Sequence, residues 1–81
     1  MDRYENDDDI VVYDAMSETA NRLIGRYVSL SRSASTPQEK EEWMQQVLRV
    51  RDERRGIDPG DRAAMREHMD RWAAEYQRLE S

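Results

Sequence analysis

Apolar residues recur along this chain at intervals of three and four. Met16, Ala20, Leu23, Tyr27, Leu30 and Ala34 form one series. Trp43, Val47 and Val50 form a second, and Met65, Met69, Trp72, Tyr76 and Leu79 a third. A helix of 3.6 residues per turn carries positions so spaced on one face. The pattern therefore predicts three amphipathic helices, over residues 15–33, 37–55 and 59–79. Ile24 and Val28 widen the first stripe, Met44 and Leu48 the second, and Ala73 lies beside the third. The repeats are too short to demand a long coiled coil. Short loops between them fit an antiparallel three-helix bundle that buries the stripes together.

Local chemistry sharpens two of the boundaries. In Ser35-Thr36-Pro37-Gln38-Glu39, Thr36 is an N-cap, Pro37 takes the first helical position, and Glu39 completes a capping box. Arg49, Arg51, Arg54 and Arg55 crowd the far end of that segment, where the helix dipole favours cations. Gly56 is the expected C-terminal cap. Asp58-Pro59-Gly60-Asp61 repeats the start signal, with Asp58 as N-cap. The first helix has a softer start, capped by Asp14 or Ser17. It ends where Ser31-Arg32-Ser33-Ala34-Ser35 reads as a loop. Gly25 falls inside it at a cost of about 1 kcal/mol relative to Ala. That glycine either faces solvent or admits another helix closely.

Charge divides the chain. Residues 1–14 contain Asp2, Glu5, Asp7, Asp8, Asp9 and Asp14 against Arg3, a charge of −5 that equals the net charge of all 81 residues. The remainder is neutral. The expected organisation is thus an acidic N-terminal arm (residues 1–14), flexible or ordered by a partner, followed by a single all-α domain (15–81). Ile10-Val11-Val12-Tyr13 within the arm are strand-forming residues flanked by charged gatekeepers. They could add a strand to a partner's sheet, or Val12 and Tyr13 could lead into the first helix and pack on the bundle. Acid-flanked aliphatic runs of this kind resemble short motifs that bind ubiquitin-like proteins.

Composition excludes several classes of function. There is no cysteine, hence no disulfide framework and no thiolate ligand or nucleophile. The apolar run at residues 10–13 is far shorter than the roughly 20 residues of a membrane helix. The acidic start is unlike a secretory leader. A cytoplasmic protein is expected, with no membrane association. His68 is the single histidine, and no neighbour completes a familiar metal spacing. The carboxylates Glu39, Glu41, Glu42, Asp52 and Glu53 read as a solvated helix face beside Lys40, Arg49 and Arg54. No glycine-rich phosphate loop is present. The reading is not an enzyme, with no catalytic residue, cofactor, metal or small-molecule substrate.

Two interaction readings remain. A chain of this length with 37% hydrophobic residues and no Phe is short of core material, so a second copy or a larger partner would help it fold. The first reading is a small non-catalytic protein-interaction module, an antitoxin-like or regulatory small subunit or a homo-oligomer. It binds a basic partner through the acidic arm and the first helix, with Asp7, Asp8, Asp9, Ile10, Val12, Tyr13, Ile24, Gly25 and Val28 as contact residues. The alternative is a DNA-binding regulator using the basic cluster from Arg49 to Arg66. A strand followed by helices resembles ribbon-helix-helix repressors in order of elements. Here, however, the strand would offer Val, Tyr and Asp to the groove instead of polar or basic side chains.

Overall fold

The computed structural model describes the backbone of residues 2–81 and the side chains from Ile10 onward. It is an all-α bundle of three helices: α1 (Asp2–Arg32), α2 (Pro37–Arg55) and α3 (Arg62–Glu80). No strand occurs among the described residues.

The α2 boundaries follow the local signals. Thr36 is extended (φ −131°, ψ 154°) and its hydroxyl accepts the Glu39 amide at 3.1 Å, satisfying a donor that the first helical turn leaves open. The return bond of the capping box lands one residue early: the Glu39 carboxylate accepts from the Ser35 amide at 3.2 Å. Gly56 caps the far end at φ −80°. It occupies an ordinary right-handed conformation there, so its place does not depend on glycine's freedom.

The other two starts differ from expectation. Helix α3 begins at Arg62, with Asp61 and not Asp58 as N-cap; the Asp61 side chain accepts the Ala64 amide at 3.0 Å. Asp58 instead closes a turn. Its side chain accepts from Gly60 and its carbonyl from Asp61, both at 2.9 Å. With those groups spent on the turn and Gly60 a poor helix former, the helix starts three residues later. Helix α1 passes straight through the expected caps Asp14 and Ser17. Val12 is the reason visible in the packing. It lies one turn before Met16 and is half-buried against the core, so the apolar stripe continues and tertiary contact overrides β propensity. Residues 10–14 are helical, which sets aside the strand reading and with it the ribbon-helix-helix ordering.

The core is formed by Met16, Ala20, Leu23 and Tyr27 of α1, Val47 and Val50 of α2, Ile57 of the connecting loop, and Met65 and Trp72 of α3. Helix α1, with the longest apolar stripe, is central and packs on both neighbours. The backbones of α2 and α3 stay more than 8 Å apart among the described residues. Those two helices meet through side chains. The stripes are narrower than the spacing predicts: Leu48 is 47% exposed and Ala73 lies on the surface. Trp43 is half-buried, its ring 5.8 Å from that of Tyr27, so it flanks the core that Trp72 anchors.

Gly25 is exposed, and a methyl group placed on it would meet nothing within 4 Å. Gly25→Ala should therefore stabilise the helix by about 0.5–1 kcal/mol. That amounts to several degrees in melting temperature for a domain of this size. A thermal melt that falls on substitution would show that the site is in contact with something.

Candidate functional site

Helix α1 has 31 residues and α2 and α3 have 19 each, so at 1.5 Å per residue α1 outruns its neighbours by about 18 Å. Its first described turn exposes apolar side chains: Ile10 is 59% exposed, Val11 64% and Tyr13 39%. Val12 alone in that run turns toward the core. Ile10, Val11 and Tyr13 form a cluster of large exposed apolar residues, and the flanking Asp14 is exposed with them. Asp7, Asp8 and Asp9 belong to the same expected contact set, and their side chains lie outside the described residues.

Beside this turn lies an open cleft of about 330 Å³, lined by Tyr13, Arg51, Arg54, Arg55, Ile57 and Pro59. The end of α2 and the loop after it form one wall, and α1 forms the other. Arg54 donates to the Asn21 side chain at 2.7 Å and is held in place by it. Arg51 and Arg55 are exposed, and among the described residues neither has a carboxylate within ion-pair distance. The acidic arm and the arginine cluster, read from the sequence as rival sites, thus share one end of the molecule.

The remaining predicted contact residues are placed differently. Ile24 and Val28 are half-buried and pack against the core, so they serve the bundle's own interior. Gly25 is exposed and faces open space. They do not form one surface with Ile10 and Tyr13.

Arg49, the first member of the predicted basic cluster, is withdrawn from the surface patch into a polar network that joins all three helices. Its guanidinium donates to Glu75 at 2.5 Å and to Glu53 at 3.3 Å. Glu75 also accepts from the Tyr27 hydroxyl at 2.5 Å, and Glu53 from the Trp72 indole at 2.9 Å. Burial, followed by the bond to Glu75, pushes the Tyr27 phenol up to about 12. Burial alone would raise the Glu53 carboxyl, but the Trp72 bond and the Arg49 charge outweigh it and hold it below the usual range. Both carboxylates of the network accept hydrogen bonds from two side chains each. The network locks the register of the helices. Reading from sequence missed it, although Arg49 and Glu53 are a four-residue helical pair.

His68 is half-buried, with Nδ1 3.0 Å from the Ala64 carbonyl oxygen and its ring 5.5 Å from that of Trp72. No group of three His, Cys, Asp or Glu side chains among the described residues could hold a metal ion. No described helix is long and apolar enough to cross a membrane. A second open cleft, of about 410 Å³, is lined by Tyr27, Glu39, Glu42, Trp43 and Gln46, two carboxylates and two aromatic rings among them.

No family model, no curated protein and no solved structure matches the chain. The functional reading accordingly rests on the geometry of this molecule.

Proposed function

We propose that the protein is a small, non-catalytic, cytoplasmic interaction module that binds a protein partner through the N-terminal part of α1. The observation that carries this reading is the exposure of Ile10, Val11 and Tyr13 together on one helix end, within the segment that holds the whole net charge of the chain. Apolar side chains supply affinity, while concentrated charge steers encounter with a basic surface and repels phosphates. The scaffold under this proposal is an up-down-up bundle with successive helices antiparallel. Its support is the side-chain pairing: Tyr27 late in α1 meets Trp43 early in α2, Asn21 meets Arg54, and Arg49 and Glu53 meet Glu75 and Trp72 in reverse order. The acidic arm is the N-terminal continuation of that scaffold and its contact element.

The test is capture of partners from the native host by four forms of the protein. They are wild type, a form lacking residues 1–9, Ile10→Asp with Val11→Asp, and Arg51→Gln with Arg55→Gln. The truncation stops before Val12, which packs on the core. Capture should fall in the second and third forms, weaken with salt as exposed charges are screened, and persist in the fourth. The basic cleft favours a second reading, a DNA-binding regulator. That reading wins if the wild type retards duplex DNA at physiological salt and the arginine variant does not.

A further inference from the structure

An exposed basic cleft lies beside the N-terminal part of α1, a segment whose sequence is acidic. Arg51 and Arg55 have no carboxylate partner among the described residues, and they line a cleft with the Tyr13 side chain. Guanidinium groups and a phenol in one cleft suit a carboxylate, which guanidinium binds through paired hydrogen bonds and a tyrosine hydroxyl can also donate to. A carboxylate-rich peptide that also carries apolar side chains would cover the exposed Ile10 and Val11 as well, and this chain contains one in Asp7-Asp8-Asp9-Ile10-Val11.

We propose that the occupant is a second copy of this chain. This rests on the interaction role proposed above and adds a second copy as a partner whose binding, unlike capture of a basic host protein, uses Arg51 and Arg55. Two α1 helices lie antiparallel across a two-fold axis between Ile10 and Val11. That register sets Tyr13 of each copy opposite Asp8 of the other. It brings the acids at positions 7–9 to the arginine-lined cleft of the other copy. The exposed Ile10 and Val11 side chains cover each other at the centre. Such an interface is isologous: each copy gives one acidic segment and one basic cleft, and the contact closes at two members. It uses the apolar residues that the isolated bundle leaves exposed. It also explains how an acidic segment and a basic cleft can sit at one end of the same molecule.

A charge swap tests the proposal on the full chain. One variant carries Asp7→Lys, Asp8→Lys and Asp9→Lys; the other carries Arg51→Glu and Arg55→Glu. Arg54, which is tied to Asn21, is left alone. Circular dichroism checks that each variant keeps its helix content. Sedimentation is run up to about 1 mM protein, because an interface below the standard size is weak. Wild type should dimerise, and more weakly at high salt. Each variant alone should dimerise at least about tenfold less tightly, since like charges then face each other. An equimolar mixture should recover a heterodimer, in which both contacts are again complementary. Ile10→Asp should also dissociate the wild-type dimer.

A wild type that stays monomeric at low salt overturns the proposal. So does a mixture that fails to recover association. Variants that melt earlier with no change in mass would place the pairing within one copy and overturn it as well. A monomeric wild type that still captures a basic protein through Ile10 and Val11 rejects the second copy and leaves the interaction role standing. A charge-swapped heterodimer without any such capture does the reverse.

Discussion

Trp72→Ala should unfold the domain or bring it close to unfolding at room temperature. Trp72 is 1% exposed and is the largest fully buried side chain of the core. Its indole also donates to Glu53 across the gap between α2 and α3. Truncating a buried Trp costs about 3–5 kcal/mol. Small domains have about 0.05–0.15 kcal/mol per residue of stability; for a chain this short of core material, at the low end of that range, little or nothing remains. Trp43→Ala removes a half-buried ring that leans on Tyr27 and should cost about 1–2 kcal/mol, less because the site is already partly hydrated. Trp72→Phe keeps most of the volume and loses the donor to Glu53, a further case worth about 1 kcal/mol. Thermal unfolding followed by circular dichroism ranks the three. Equal effects at the two tryptophans would show that Trp43 anchors the core as much as Trp72 does.

Arg49→Met should destabilise through the charges it leaves behind. Glu53 and Glu75 are 25% and 19% exposed and share this one guanidinium. Breaking a fully buried pair costs about 3–5 kcal/mol. Arg49 itself is 36% exposed, and solvent screening brings the expected loss to about 1–2 kcal/mol. Adding Glu53→Gln and Glu75→Gln to the same chain should recover part of it, because no uncompensated charge is then left. Acid has a defined sign. Burial acts to raise Glu53, but its bonds to Trp72 and Arg49 win, and its folded pKa lies below the unfolded value, which is about 4.3. Its contribution is present above that value and is lost as pH falls through the folded pKa. The wild-type melting temperature should drop between about pH 5 and pH 3, and Arg49→Met should show a shallower drop because its stranded carboxylates gain from protonation. A wild type and variant with parallel pH profiles would mean that Arg49 does not hold Glu53 ionised.

The parts of this fold that can be read along the chain are those set within a few residues. Thr36-Pro37 starts α2 as expected because cap, proline and first-turn acid act across four residues. The stripe residues Met16, Ala20, Leu23, Tyr27, Val47, Val50, Met65 and Trp72 are buried as their spacing predicts. Where two local solutions compete, the pattern is ambiguous. Asp58 and Asp61 are both good N-caps, and the choice between them turns on whether Asp58 closes a turn around Gly60. Val11 and Val12 carry the same strand preference, yet the stretch is helical and Val12 packs on the core.

What neighbours in space decide is the polar network and the open cleft. Arg49, Glu53, Tyr27 and Glu75 come from three helices, and no spacing rule connects Tyr27 with Glu75. The pair forms because burial makes an unbonded phenol or carboxylate costly, so each must find a partner across the bundle. In the same way, the acidic segment and the arginine cluster are about 40 positions apart in the sequence, which makes them look like rival sites. Tyr13, at the end of the acidic segment, lines one cleft with Arg51, Arg54 and Arg55. Composition and periodicity set the three helices and their buried faces, because those depend on each residue's own chemistry and its nearest turns. Which charges meet, and which apolar residues are left facing outward, follows from how the helices pack, because Coulomb attraction and burial depend on distance in space and not along the chain.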